Sequence, residues 1–215
     1  MRAYDYISLL QGAAITVSLS LIGIAAGVPL GLALALIRWA GVPVLARVVA
    51  AYVSVLRATP MVTLALLVFF ALPNIGVPID PVPAALLTLA MNTSAFNCET
   101  WRAALTDFPK SQLEAAVAAG MTPGLAFRRI VFPQIWRISL PGLVNEMTLL
   151  IKSSPAIAVI GIVDITRAAV RIGAQTYEPL PPFLVATALY FLMVLGFVRA
   201  QRAIESHMDR KFGFA

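Results

Sequence analysis

The stretch from Gly12 to Ile37 contains no charged residue and is apolar almost throughout. A helix needs about 20 such residues to cross the hydrocarbon core of a bilayer. The stretch therefore predicts a transmembrane helix, which Arg38 and Trp39 close at one end. Because it is too long for the apolar part of a cleavable signal peptide, we interpret it as a retained first span.

The rest of the chain repeats this pattern. Only 12% of its residues are charged and 60% are hydrophobic, whereas a soluble domain has about 25% charged residues. We therefore expect an all-α polytopic membrane bundle of about five transmembrane helices, forming one domain over residues 12–205. The further spans are predicted at about 57–72, with Pro60 as a helix start or kink, and at about 82–105, 138–163 and 182–198. A polar connection is expected between the last two.

Basic residues are distributed unevenly between the two sides of such a bundle. In membrane proteins Lys and Arg accumulate in cytoplasmic loops. One side has only Arg2, Arg167 and Arg171; the other has Arg38, Arg47, Arg57, Arg102, Lys110, Arg128, Arg129, Arg137, Arg199, Arg202, Arg210 and Lys211. This distribution predicts an outside N-terminus and a cytoplasmic C-terminus. It also indicates that the net charge of +6 serves membrane topology and contact with anionic lipid rather than binding of nucleic acid.

The composition also argues against several kinds of site. A single cysteine, Cys98, excludes an internal disulfide, and with a single histidine, His207, it argues against a Cys/His metal site or a histidine-based triad. We predict no cofactor and no metal. The chain has no G-x-x-x-x-G-K-[ST] phosphate loop, so it is not expected to hydrolyse ATP or to act as an enzyme.

Residues 111–133 form a polar segment between the third and fourth spans. Ser111 and Glu114 have the spacing of a helix-capping box, and Gly120 stands where a left-handed C-cap is needed. Thr122 followed by Pro123 predicts a second helix start, and Pro133 a second helix end. We expect two short helices joined at Gly120.

The first of these helices has a low-relief surface formed by alanines 115, 116, 118 and 119. Such a surface allows another protein to approach closely. A surface helix-turn-helix without any partner has the same caps, so the caps alone leave both interpretations open.

The spacing within the segment is more specific than its caps. Glu114-Ala115-Ala116, three residues, Gly120, nine residues and Ile130-x-Phe132-Pro133 resemble the EAA loop of bacterial ABC importer permeases. The resemblance implies a type I importer fold and a coupling helix that docks on a cytoplasmic ATPase. The coupling residues it implies are Glu114, Ala115, Ala116, Gly120, Arg128 and Pro133.

Other segments are similar to the same family, in its polar amino acid branch with histidine, glutamine and arginine importers. They are residues 56–60 (LRATP), 95–99 (AFNCE), 140–141 with 145–146 (LP, NE), and Lys152 with 159–161 (VIG). The resemblance implies a multi-pass inner-membrane subunit that partners a cytoplasmic ATPase dimer, an extracytoplasmic solute-binding protein, membrane lipid, and a second permease copy or a sister permease.

Polar groups within the spans are candidates for a substrate pathway, because ionisable side chains in a membrane segment usually face a partner or a watery cavity. The candidates are Glu99, Asn145, Glu146, Lys152, Ser153 and Ser154. At 100° per residue Asn145 and Lys152 share one stripe of a helix, Glu146 and Ser153 share the adjacent stripe, and Pro155 is expected to break that helix. The alternative is structural, with Lys152 pairing with a glutamate and Asn145 bonding between helices.

An ATP-independent channel or ion-coupled secondary transporter is the alternative function. Intramembrane Glu and Lys residues suit it equally well, and it predicts uptake that survives ATP depletion. It gives no reason for the spacing of residues 114–133. An intramembrane enzyme has no convincing catalytic constellation in this sequence.

Overall fold

The computed structural model describes the backbone of residues 2–212 and their side chains, except those of Ile204, Glu205 and residues 207–212. His207, Arg210 and Lys211, which entered the sequence arguments, thus lie outside the described side chains. Within this range the chain is helical and has no strand. The helices are α1 (Ala3–Trp39), α2 (Pro43–Ala58), α3 (Met61–Asn74), α4 (Pro81–Thr106), α5 (Lys110–Ala118), α6 (Pro123–Ala126), α7 (Phe132–Ser153), α8 (Ile165–Thr176) and α9 (Leu180–Phe212), with a π-helical segment at Phe127–Val131 and a 3₁₀ segment at Ser154–Ile160.

Three stretches of the described chain are long and apolar enough to cross a membrane: Ala3–Trp39, Pro123–Ile160 and Leu180–Ala203. The pair α2 and α3, whose axes differ by 114°, adds a fourth when the two helices are counted as one span. Thr59 and Pro60 are extended at this bend, because a proline disfavours helical geometry in the residue before it. The third predicted span corresponds to α4, which has 26 residues, but Asn, Thr, Ser and Glu side chains lower its hydropathy.

Helix α1 packs against α4 through glycines at every fourth position. A Cβ atom at Gly27 would lie 2.4 Å from the Cβ of Thr93, and one at Gly23 would lie 2.7 Å from the Cβ of Leu89. Gly31 continues the stripe, with Ser94 and Cys98 backbone atoms 3.0 Å from the position of its missing Cβ. Small residues at this spacing let two membrane helices approach closely, which fixes the position of α4 at the centre of the bundle.

Helix α8 corrects the prediction of a polar connection between the last two spans. It buries Ile165, Ala168 and Ile172 against α1 and α9. Its N-cap is Asp164, whose carboxylate accepts from the Arg167 amide at 2.9 Å and from the Tyr190 hydroxyl at 3.3 Å. The Asp164 carboxyl is fully buried, and burial raises its pKa.

Pro155 interrupts the fourth span, as predicted. Helix α7 ends at Ser153, and the chain continues as the 3₁₀ segment up to Gly161, which is left-handed at φ 105°. The missing N–H of proline removes a helical hydrogen bond, which favours this change of pitch. The 3₁₀ segment packs beside α3 and brings the end of α7 close to the bend at Pro60.

Candidate functional site

A cavity of about 270 Å³ lies where the bend between α2 and α3 meets α4 and α7. Its volume is close to the lower end of the ~300–1,000 Å³ range of small-molecule sites. The lining residues combine apolar and polar side chains: Thr59, Met61, Asn92, Thr93, Phe96, Glu146, Leu149, Leu150 and Ser153.

Glu146 is the ionisable residue of this lining. It is half-buried, and among the described residues its carboxylate has neither a hydrogen-bond donor nor an ion-pair partner. Arg57 interacts with it electrostatically. An acid inside a membrane segment is costly unless a cation or water compensates it, so Glu146 is suited to receive a positively charged group within the cavity.

Arg57 stands beside the cavity, at the end of α2. Its guanidinium carbon lies 5.4 Å from the centre of the Phe96 ring, within the range of a cation–π interaction. Phe96 itself lines the cavity. The charge distribution of the sequence predicted Arg57 among the cytoplasmic basic residues. Phe96 precedes the end of α4 by ten residues, or about 15 Å of helix, so Arg57 contacts α4 well before its end.

Hydroxyl groups supply further acceptors on the cavity wall. The Thr59 hydroxyl donates to the Val55 carbonyl at 2.7 Å, and the Ser153 hydroxyl donates to the Leu149 carbonyl at 2.8 Å. Because both hydroxyls donate their protons to backbone carbonyls, their oxygens can accept hydrogen bonds from a ligand. Thr93 Oγ1 is buried and has no partner among the described residues. The cavity thus offers a carboxylate and several acceptor oxygens, with one cation beside it.

The structure separates the two stripes predicted on the fourth span. Glu146 and Ser153 line the cavity. Asn145 and Lys152 are exposed and do not line it, and Lys152 forms no ion pair with any described residue. The structural alternative of a Lys152–glutamate pair is therefore not observed in the described part of the chain.

The two remaining pathway candidates also lie outside the lining. Ser154 is buried and donates to the Ile151 carbonyl at 2.8 Å. Glu99 accepts from Arg38 of α1 and from Arg102, one turn later on α4, the latter at 2.8 Å. These pairs link the ends of α1 and α4, which favours a structural role for Glu99 over contact with a substrate.

Seven lining residues were not among the sequence candidates: Thr59, Met61, Asn92, Thr93, Phe96, Leu149 and Leu150. The polarity of the second half of α4 was a signal for two of them, Asn92 and Thr93. Thr59 and Met61 are adjacent to the proline bend, whose angle brings them to the cavity and is not apparent from sequence.

The polar segment 111–133 lies at one end of the bundle and turns at Gly120, as predicted. Gly120 has φ 78°, and no heavy atom lies within 4 Å of the place where its Cβ would stand. The requirement for glycine is thus one of backbone conformation rather than space. The Gly120 and Met121 amides donate to Val117 and Ala116, which closes the end of α5.

Three local predictions for this segment have different outcomes. Thr122 caps the next helix, and its hydroxyl accepts from the Leu125 amide at 3.4 Å. The capping box at Ser111 and Glu114 is wrong, because α5 begins at Lys110 after an extended Pro109, which places Ser111 inside the first turn. Pro133 does not end a helix either.

The chain continues through Pro133 from α6 into α7. The π-helical turn at Phe127–Val131 precedes the proline, and the Phe132 amide donates to the Phe127 carbonyl in its i→i+5 pattern. This shift of register accommodates a residue without an N–H in a continuous helical path. Only α5 is therefore a separate short helix; the second one is the start of the fourth span.

Most of the residues implied in coupling are exposed. Glu114, Ala115, Gly120, Arg128 and Pro133 are accessible in the subunit. Ala116 corrects the predicted alanine surface, because it is only 3% exposed and faces inward. Gln112 also holds α5 to the bundle, through its side-chain oxygen and the Gln134 amide at 2.8 Å.

Comparison with known proteins identifies the fold and the family. The family described as "Binding-protein-dependent transport system inner membrane component" matches residues 27–210. The chain belongs to this family. It is a membrane-spanning permease subunit of an ATP-binding-cassette importer, and its family works with an ATPase and a binding protein.

Its similarity to individual permeases extends along nearly the whole chain. It is 34% identical to the arginine transport system permease protein ArtQ of Bacillus subtilis, over 92% of this chain and 90% of that protein. It is 32% identical to the histidine/lysine/arginine/ornithine permease HisQ of Salmonella typhimurium, over 88% and 84%. A crystal structure of an amino acid ABC transporter with histidines superposes with a TM-score of 0.85 at 32% identity, covering 94% of each chain.

Proposed function

We propose that this permease carries a polar amino acid, and that the cavity beside Glu146 is part of its path. The observation on which the proposal depends is a half-buried carboxylate with no hydrogen-bond or ion-pair partner among the described residues, facing a cavity of about 270 Å³. A zwitterionic solute carries an ammonium for this carboxylate and the neighbouring oxygens. The names of the similar permeases, for arginine and for histidine, lysine and ornithine, support the same class of solute.

The exposed face of α5 and the turn at Gly120 form the proposed docking site for the cytoplasmic ATPase dimer. The face consists of Glu114, Ala115 and Val117, and Val117 is 64% exposed. Helix α5 is short, is fixed to α7 through Gln112 and Gln134, and leads through α6 directly into the fourth span. A displacement of α5 by an ATPase would therefore be passed to α7, which carries Glu146 and Ser153.

The proposed orientation has the N-terminus outside and the C-terminus in the cytoplasm. It is supported by the concentration of Arg and Lys at the end of the bundle that carries α5. A solute-binding protein would then deliver substrate at the opposite end. Most residues of the span Leu180–Ala203 are not buried within the subunit, and five helices enclose only a small path, so we expect a second permease copy or a sister permease beside it.

Transport would proceed by alternating access. ATP binding would bring two α5 docking sites together, and hydrolysis would release them. The bend between α2 and α3 and the 3₁₀ segment after α7 both border the path, and each is a break in a helix. Such breaks let helix halves rotate while their backbone groups stay satisfied inside the protein.

The test is uptake of labelled amino acids by the complete importer, reconstituted with its ATPase and binding protein. The variant Glu146→Gln keeps the shape of the side chain and removes its charge. We expect the KM to rise by at least about tenfold, because a buried charge-assisted contact contributes about 1.5–3 kcal/mol. Wild-type KM and kcat in this variant would contradict the cavity proposal.

Two controls separate the site from the mechanism. Glu178→Gln makes the same change at an exposed acid outside the cavity and should leave uptake unchanged. ATP depletion should stop uptake by the wild type. Uptake that persists without ATP and follows an ion gradient would favour the ion-coupled alternative instead.

A further inference from the structure

A second pocket, distinct from the substrate cavity, lies at the end of the bundle that carries α5. It has a volume of about 490 Å³ and is formed by the end of α1, the start of α2 and the end of α4. Three arginines line it, Arg38, Arg47 and Arg102, together with Trp39, Ala46 and Thr106. We call it the arginine pocket.

The positive charge of the arginine pocket is not balanced by the described residues. Glu99 is shared between two of the arginines, Arg38 and Arg102. Arg47 is exposed and has no hydrogen-bond or ion-pair partner among the side chains that the structure describes. Three guanidinium groups thus stand against one carboxylate, and the imbalance favours an anion with several acceptor oxygens.

The surface next to the pocket is apolar. Val44, Leu45 and Val48 of α2 flank Arg47 in sequence and are 73%, 46% and 60% exposed. Trp39 is 40% exposed, and tryptophan is enriched where a helix leaves the bilayer at headgroup level. A soluble anion would use only the arginines, whereas a phospholipid would use the arginines for its phosphate and the α2 surface for its acyl chains.

We propose that the arginine pocket binds the phosphate headgroup of an anionic phospholipid, with the acyl chains along the exposed apolar face of α2. Nothing in the transport proposal requires this site, and it does not depend on the nature of the solute. Thr106 of the pocket is followed closely by Lys110, where α5 begins. Bound lipid would therefore lie beside the proposed docking site for the ATPase.

The experiment uses the full chain in lipid nanodiscs and follows the fluorescence of Trp39. Trp101 is buried, and Trp136 is replaced by phenylalanine to remove the other exposed indole. Brominated phosphatidylglycerol or brominated phosphatidylcholine is added as a quencher to otherwise unlabelled zwitterionic lipid. We expect the anionic lipid to quench at a several-fold lower mole fraction than the zwitterionic one.

The variant Arg47→Gln should reduce this preference about fivefold, the effect of one basic residue near a membrane surface. Arg47 is chosen because its loss leaves the Glu99 pairs intact. Arg199→Gln removes one charge from the exposed surface of α9, outside the pocket lining, and should keep the preference.

Two outcomes would overturn the proposal. Equal quenching of the wild type by both lipids would show that the pocket does not select an anion, and this result does not depend on any variant folding. Relief of quenching by inorganic phosphate, but not by sodium chloride at the same ionic strength, would assign the pocket to a soluble phosphate rather than a lipid. Quenching that inorganic phosphate relieves no more than sodium chloride does supports the lipid.

Discussion

The cavity beside Glu146 and the α5–Gly120 turn differ in how the chain builds them. The turn is contiguous in sequence, exposed, and shaped by local backbone conformation, as φ 78° at Gly120 shows. The cavity draws on the α2–α3 bend, α4 and α7, so its residues come from positions 59 to 153. Changes at the turn should therefore affect coupling at unchanged substrate affinity, and changes at the cavity should affect affinity at unchanged coupling.

The largest effect is expected for Gly120→Val. A β-branched residue is strongly disfavoured in the left-handed conformation, so the end of α5 should change direction. ATP-driven uptake by the reconstituted importer should be abolished, whereas membrane insertion and substrate binding should be kept. Gly120→Asn is the matched control, because asparagine tolerates this conformation and should retain most uptake. Normal uptake in the valine variant would contradict a coupling role for the turn.

Gly27→Leu should damage the cavity through packing. A Cβ at this position already meets Thr93, a lining residue, at 2.4 Å. Overpacking of this kind costs typically about 1–3 kcal/mol, so thermal unfolding in detergent should occur several degrees lower. Gly196→Leu on α9, where no heavy atom lies within 4 Å, should leave the Tm nearly unchanged. Equal Tm values for the two variants would argue against close α1–α4 packing.

Arg57→Gln should weaken substrate affinity moderately. The guanidinium, which stands beside the cavity, is expected to bind the solute's carboxylate, and loss of that charge-assisted contact corresponds to about 1.5–2 kcal/mol, or a KM raised about ten- to thirtyfold. An amide analogue lacks the carboxylate of the substrate. If Arg57 faces that carboxylate, the KM of the analogue should differ less between the wild type and the variant. Arg171→Gln, exposed on α8, is the charge-matched control for uptake. ATPase activity without uptake would instead point to a gating defect.

The smallest effect is expected for Lys152→Ala. Its side chain is exposed, forms no ion pair with a described residue and is absent from the cavity lining. KM should stay within about twofold of the wild type, near the limit of surface substitutions. A clear loss of affinity at normal expression would return Lys152 to the substrate path, by way of a second permease subunit.

The sequence by itself determined the properties that depend on neighbouring residues. Apolar runs predicted the membrane spans, a glycine after α5 predicted the left-handed turn, and the spacing of residues 114–133 indicated the family before any coordinates. The capping box at Ser111 was wrong even locally, because the helix N-cap is Pro109, two residues earlier. The predicted helix end at Pro133 was wrong because a π-helical turn accommodates the missing N–H of this proline.

Tertiary structure decided which polar residues share the cavity. The Asn145–Lys152 and Glu146–Ser153 stripes have the same spacing on one helix, so periodicity cannot choose between them. The choice depends on the side of α7 that meets α4 and the α2–α3 bend. That side is set by the glycine stripe of α1, which positions α4, and by the 114° bend at Pro60, which brings Thr59 and Met61 next to Glu146.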